Sequence, residues 1–411
     1  MDPELIELSQ LFLRQYSRPF VRYFLNERPL SHRMNVIKGQ RGIGKTTAAV
    51  QHILSRSGND MLSSKILYVP CDHFKLRGRS LYDIAEEFYL YGGQIVCFDE
   101  VHKYPDWSGE LKSAHDTFTA LEILATGSSA LEIVRGSHDL SRRALVHTMY
   151  GMSFREFIEM DKGVALKTCS LSDIIDKHER LSSGYIETLA ESNLKILPLF
   201  EEYLRHGYYP FFIESRDEET FFTLLERNVH TSIEIDLVAV SPNLTGESIR
   251  RIKQLLSFIA SAVPFMPDYS SLKQAVNVSD QRTIRNYLEL LQRVGVLRLL
   301  PRTGSVHESM KKPEKIYLDN TSQMFALAPG AKADAGTLRE TFFASQLGFS
   351  HRLGAPKKGD FLIDDALLFE IGGKSKKSRH IAGHENVFYA LDRIETGSGN
   401  RIPLWLFGFT Y

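Results

Sequence analysis

Apolar positions recur near helical spacing over the first 30 residues, where Leu5, Leu8, Leu11, Phe12, Tyr16, Phe20 and Tyr23 predict a helical arm. The pattern then changes. Short apolar runs at 34–37, 65–70 (KILYVP), 94–100 (QIVCFDE) and 121–129 (LEILATGSS) predict strands, separated by stretches such as 81–91 and 107–118 that are long enough for helices. This β/α alternation predicts a parallel sheet with helices on both faces. From 153 to 227 the pattern is mostly helical, and 248–300 predicts further helices ending in SDQRTIRNYLELLQRVGVLRLL. Beyond about 335 mixed α/β returns, with FLID, ALLFEI and IPLWLFGF as strands; Trp405, Phe407 and Phe409 alternate as one face of a buried last strand.

Length and composition narrow the picture. A chain of 411 residues corresponds to two or three domains, with expected limits of 1–160, 161–325 and 326–411. Lys and Arg number 50, as do Asp and Glu, so a polycation that coats nucleic acid through bulk charge is excluded and any nucleic-acid contact needs a local patch. Cys71, Cys97 and Cys169 form no CxxC pair, which fits a reducing cytoplasm rather than a disulfide framework or a cysteine-rich zinc site. The start MDPELIELSQ lacks the basic end and apolar core of a secretory signal, and the apolar run 255–266 is too short to cross a bilayer. A cytoplasmic protein without membrane contact is expected.

The chemistry-bearing segments lie at the ends of the expected strands. Gly39, Gln40, Arg41, Gly42, Ile43, Gly44, Lys45 and Thr46, followed by Thr47, satisfy G-x-x-x-x-G-K-[ST] between a strand and a helix. The glycines let backbone N–H groups approach phosphate oxygens, and the following helix adds its positive end. Lys45 supplies a cation for the β/γ-phosphates, and Thr46 a hydroxyl for Mg²⁺. The apolar strand ending in Asp99 and Glu100 supplies a second metal partner in Asp99 and, in Glu100, a base to polarise the attacking water. The KILYVP strand between the two motifs suggests the P-loop subclass that places an extra strand between the motif strands and carries a catalytic glutamate. After LEIL, Ser128, with Thr126 as the alternative, is the hydroxyl expected beside the γ-phosphate. Of the neighbouring Arg142 and Arg143, one is expected to stabilise transition-state charge, in cis or from a neighbouring subunit; a surface role is the alternative.

The order GQRGIGKTT, CFDEVHKYPDW, TGSSALEI and LSRRALVHTMYGMSFREFIE resembles the prokaryotic AAA+-related ATPase family with a C-terminal domain of unknown function. It is also similar to the related archaeal ATPases of the STAND-like branch. The resemblance implies a Mg²⁺-dependent ATPase whose core closes at SFREF, with Arg143 at the position of the family's usual Gly-Arg and Arg142 in place of its glycine. YLRHGYYPFF resembles the family's Gly-Gly-x-Pro element, with Tyr208 at the second glycine. The expected fold class is α/β, a parallel-sheet P-loop ATPase core followed by a helical and winged-helix region and a C-terminal restriction-endonuclease-like domain. ATP and Mg²⁺ are the expected cofactors, and assembly into an oligomer is compatible with the family.

Over 250–320 the residues predict a winged helix. Ser279 and Asp280 cap a helix whose Ile284, Tyr287, Leu288 and Leu291 face inward, leaving Arg282, Arg285 and Asn286 outward. Residues 271–315 hold nine Lys/Arg against four Asp/Glu, a local basic surface suited to double-stranded DNA, although winged helices also bind protein partners. Further on, Glu340, Asp360, Glu370 and Lys374 resemble the restriction-endonuclease core, where carboxylates hold Mg²⁺ and a lysine orients water. Such cores place the lysine two residues after the glutamate, where this chain has Gly372, so both an active site and a relic are open readings. Lys374, Lys376, Lys377 and Arg379 add a basic patch, and His380 and His384 stand four apart without a third metal ligand.

Overall fold

The computed structural model describes residues 1–27, 30–127, 140, 142–241, 243–261, 268–303, 313–328, 334–376 and 386–411. The chain forms two compact units, one of residues 1–151 with 231–245, the other of 152–230 with 246–411. These limits differ from the three expected segments, because 231–245 joins the first unit from the middle of the second segment.

The first unit is built on a parallel sheet of β1 (Met34–Lys38), β2 (Ile66–Pro70), β3 (Ile95–Asp99), β4 (Glu122–Gly127) and β5 (Leu145–Thr148). Its order is β2-β3-β4-β1-β5. The strand between the two motif strands is therefore β4, whereas the KILYVP strand, β2, takes an edge. Val36, Val69, Val96, Phe98, Ile123 and Ala125 are buried on the sheet, so these strands read as continuous apolar runs. The arm Pro3–Tyr16 begins with the side chain of Asp2 accepting from Glu4 N–H and Pro3 in its first turn. It covers the β2 edge, and Ser9 Oγ accepts the Tyr68 N–H at 2.8 Å, satisfying a donor that an open edge would expose. β5, which carries no strong sequence signal, closes the other side by pairing with β1.

In the second unit, helices Phe154–Lys162, Leu171–Glu191, Ile196–His206 and Glu218–Thr231 match the helical pattern. Helices Gly246–Ala260, Tyr269–Ala275 and Gln281–Arg293 follow, and β6 (Leu297–Leu300) pairs antiparallel with β7 (Lys315–Leu318). Asp280 caps Gln281–Arg293 by accepting from Arg282 N–H at 2.9 Å. A mixed sheet comprises β8 (Leu353–Gly354), β9 (Phe361–Ile363), β10 (Leu367–Gly373), β11 (Val387–Asp392) and β12 (Arg401–Pro403) in the order β12-β11-β10-β9-β8.

The expected final strand ends at Pro403, and Leu404–Phe409 is a 3₁₀ helix. All six residues are fully buried, so the alternation of Trp405, Phe407 and Phe409 carried no information about a face. No helix among the described residues is long and apolar enough to cross a membrane.

The SFREF segment folds with the second unit. Ser153 Oγ accepts from Glu156 N–H at 3.2 Å, and Glu156 Oε2 accepts from Ser153 N–H at 3.2 Å, a reciprocal cap. Ser153 Oγ also donates to the Tyr411 backbone oxygen at 2.7 Å, as does Arg155 Nε at 3.0 Å. Ser153→Ala is expected to destabilise the second unit by about 1–3 kcal/mol, because it removes the cap and orphans buried groups. The check is the urea midpoint of helical circular dichroism, and an unchanged midpoint would contradict it.

Candidate functional site

The site lies at the strand ends β1, β3 and β4, where the chain turns from sheet to helix. Gly42 and Gly44 have φ of 79° and 95°, a backbone that side-chain-bearing residues adopt at a cost. A Cβ on Gly39 would stand 2.4 Å from the Met149 backbone oxygen, so that glycine permits the loop to sit close to the end of β5. Arg22, buried and outside every sequence motif, braces the loop by donating to Ile43 O at 2.7 Å and to Tyr150 O at 3.0 Å. Lys45 and Thr46 open the helix Lys45–Arg56, with Thr47 half-buried behind them.

Lys45 is buried, and its Nζ donates to Gln40 O at 2.7 Å. Burial pulls its ammonium down from the usual lysine range, opposed by the charges of Glu100 and Asp99. Asp99 receives three hydroxyl donors: Thr46 Oγ1 at 3.0 Å and Tyr68 OH at 2.6 Å on one oxygen, and Thr126 Oγ1 on the other. Burial still pushes its carboxyl up from the usual range, with Glu100 adding to the shift.

Glu100 stands in the left-handed region at φ 56°, a strained backbone of the kind found at functional sites, and its N–H donates to Thr126 Oγ1 at 3.1 Å. Burial acts to raise its carboxyl. Lys45, His102, Lys103 and Arg41 outweigh that effect and hold it below the usual range.

Gly39, Gln40, Arg41, Gly42, Ile43, Gly44, Lys45, Thr46 and Thr47 thus share one turn with Asp99 and Glu100 facing it across the Thr46 contact. Ser128 lies outside the described residues. Thr126, the alternative hydroxyl at that strand end, is the one bonded to both Asp99 and Glu100.

Arg143 is not brought to the loop. Its Nε and Nη2 donate to Asp116 at 2.7 and 2.8 Å, beside the start of β1, where Arg33 donates to His115 O at 2.8 Å. β1 spans five residues, so Arg143 is separated from its own phosphate loop by roughly 15 Å. Arg142 is exposed.

With this geometry the relatives can be set beside the chain. Residues 31–158 match the AAA domain family. Together with the parallel P-loop core, this match supports an AAA+-like ATPase fold for the first unit. Residues 197–333 match a family described as a domain of unknown function (DUF8612). An uncharacterized protein of Methanocaldococcus jannaschii, MJ1637, is 26% identical over 400 residues, covering 89% of this chain and 79% of that protein. Among solved structures, the Walker-type ATPase PABY2304 of Pyrococcus abyssi aligns at TM-score 0.40 and 13% identity, covering 74% of this chain and 93% of its own. AMPPCP-bound DnaA from Aquifex aeolicus aligns at TM-score 0.26 and 14% identity, covering 71% of this chain and 89% of its own.

The first unit also holds two polar residues that the sequence motifs do not single out. His102 Nε2 lies 3.7 Å from Glu100 Oε2 and 3.7 Å from Asp236 Oδ1, and Asp236 takes Arg41 Nε at 3.3 Å and Nη2 at 3.1 Å. Burial opposes ionisation of Asp236, but His102 and Arg41 hold its carboxyl below the usual range. His102 was legible only as part of the segment after Glu100, and Asp236 had no signal.

The three candidate carboxylates of the second unit, Glu340, Asp360 and Glu370, pair with lysines. Lys376 Nζ lies 2.6 Å from Glu370 and 3.2 Å from Asp360, while Lys315 Nζ lies 3.2 Å from Glu340 and 3.7 Å from Asp360. The lysine that follows Glu370 and reaches this cluster is therefore Lys376, not Lys374, whose backbone oxygen accepts from Arg401. A Cβ on Gly372 would stand 2.2 Å from Lys376 Cδ, so the missing side chain there leaves the path for the Lys376 stem. Among the described residues no group of three or more His, Cys, Asp or Glu side chains is placed to hold a metal ion. His380, His384, Lys377 and Arg379 lie outside the described residues.

Proposed function

We propose that the chain binds ATP with Mg²⁺ on loop 39–47 and hydrolyses it, and that nucleotide state controls the second half of the chain. The 3.0 Å bond from Thr46 Oγ1 to Asp99, beside the buried Lys45, carries the reading, since it joins two hard oxygen donors and a cation at one helix start. The donor set fits Mg²⁺, which Thr46 and Asp99 would hold and which would neutralise phosphate charge. Lys45 pairs with the β/γ-phosphates, the loop N–H groups cradle them, and Glu100 accepts a proton from the attacking water. The strained backbone of Glu100 and its bond to Thr126 fix the base before substrate arrives.

Lys45→Ala is expected to lower ATP affinity or turnover at least about tenfold. Glu100→Gln should keep affinity and lose turnover by about a hundredfold or more, since it removes only the base. EDTA should stop hydrolysis. A folded Lys45→Ala protein with unaltered binding and turnover would end this reading, and a Glu100→Gln protein that hydrolyses normally would reduce it to nucleotide binding.

Arg143 fits a role in trans, on the nucleotide of a neighbouring copy, because its own loop is at the other end of β1. Mixing Arg143→Ala with Lys45→Ala protein should then restore turnover that neither has alone. Mixtures as inactive as their components would remove Arg143 from the chemistry.

The helices 246–260, 269–275 and 281–293 with the β6–β7 pair support a winged-helix reading, and Arg282 and Asn286 are exposed on the last helix, with Arg285 half-buried between them. On this reading double-stranded DNA is the partner of that surface, with a protein as the alternative. Replacing Arg282 and Arg285 together by Ala should weaken duplex binding and flatten its salt dependence by about 0.9 log unit per lost phosphate contact. Wild-type protein without salt-sensitive DNA binding, with or without ATP, would point to a protein partner.

A further inference from the structure

The carboxylate assigned to the metal is held from three sides, and one of its partners belongs to no motif. Asp99 is buried and takes its three hydroxyl donors from three elements: Thr46 from the helix after the phosphate loop, Thr126 from β4 and Tyr68 from β2. Tyr68 OH donates to Asp99 Oδ2 at 2.6 Å, the same oxygen that accepts from Thr46 at 3.0 Å. In the register of β2 and β3, Pro70 stands opposite Asp99 and Tyr68 opposite Cys97. Alternate residues of a strand share a face, so the Tyr68 ring starts on the Asp99 side of the sheet, two residues or roughly 7 Å back along the strand. A phenol spans that gap, and a serine or threonine hydroxyl does not.

The ring in turn is held by the N-terminal arm Pro3–Tyr16. Tyr68 is fully buried, its ring stacks on Phe12 with centroids 5.5 Å apart and planes 19° from parallel, and its N–H donates to Ser9 Oγ at 2.8 Å. Stacking and burial fix the ring, and with it the line along which the hydroxyl points. Neutral hydroxyl donors favour the ionised carboxylate and orient it without an opposing charge. A cation shared by Asp99 and Thr46 then meets lone pairs whose direction is already set, the service that outer partners render to metal ligands in general.

We propose that Tyr68, held by the arm, is a positioning residue of the metal site: its hydroxyl fixes the Asp99 carboxylate for Mg²⁺. This role rests on the reading above that the loop binds ATP with Mg²⁺. It brings the arm, which lies outside the segment 31–158 that matches the AAA domain family, into the chemistry of the nucleotide.

The test uses the full chain and a non-hydrolysable ATP analogue, titrated by calorimetry once with Mg²⁺ and once in EDTA. Tyr68→Phe keeps the ring and its stacking and removes only the hydroxyl. Its affinity for the analogue in EDTA should stay within about twofold of wild type, while the tightening that Mg²⁺ brings should shrink at least about fivefold and the Mg²⁺ concentration for half-maximal turnover should rise at least about tenfold. Phe12→Ala, on the arm, should move both metal readouts in the same direction, and it carries the test if Tyr68→Phe does not fold. A hydroxyl that merely satisfies a buried ring would lower the melting temperature and leave both metal readouts unchanged; that result overturns the proposal, as do equal losses of affinity with and without Mg²⁺. An indifferent Phe12→Ala beside an affected Tyr68→Phe overturns the part given to the arm. Wild-type protein that neither binds the analogue nor hydrolyses ATP refutes the parent reading, whereas a metal-sensitive wild type with an indifferent Tyr68→Phe refutes only this one.

Discussion

The first unit is organised around charges kept away from water. Lys45, Asp99 and Asp236 are each at most 5% exposed, and Glu100 stands beside them. Ions removed from solvent lose hydration worth several kcal/mol apiece after relaxation, so each must be offset by a partner with good geometry. Three hydroxyls serve Asp99, a guanidinium and an imidazole serve Asp236, and a loop carbonyl serves Lys45. The sheet order follows the same requirement. Placing β4 between β1 and β3 brings Thr126 to a point from which one hydroxyl can donate to Asp99 and accept from Glu100.

What could be read from the sequence is what local chemistry determines. The phosphate loop, β2, β3 and β4, and helices Leu81–Leu90 and Trp107–Thr117 follow from apolar runs, glycines and caps within a few residues of each other. Arg22, His102 and Asp236 escape because their meaning is a contact made across the fold. An arginine before the first strand or an aspartate in EIDLVAV is unremarkable until tertiary structure puts it against the loop. Arg143 shows the converse. Its motif resemblance is local, but the strand after it runs parallel to β1, so the residues before that strand must lie at the end away from the loop.

The second unit shows a pattern of compensation that spacing rules hide. The motif position two residues after Glu370 is a glycine, and counting along the chain suggests that the lysine has been displaced to Lys374. In three dimensions a longer detour succeeds: the backbone turns after β10, and Lys376 returns over Gly372 to reach Asp360 and Glu370. With Lys315 on the other side, two ammonium groups balance most of the charge of three carboxylates. Such a network, largely balanced internally, ties β7 and the helix Ala335–Leu347 to the start of β9 and to β10.

The same reasoning distinguishes Asp236 from these lysine-bound carboxylates. In the second unit, Glu370 lies on β10, Lys376 just after it and Asp360 just before β9, its neighbour in the sheet, so these charges consolidate a structure that apolar contacts define. Asp236 instead belongs to a short excursion, and the loop residue it binds is one that the phosphate-binding motif leaves free to vary. A fixed ion pair at a variable motif position adds nothing to phosphate contact itself. The cost of burying the charge at Asp236 is tolerated because the segment that carries it has Arg41 and His102 to meet.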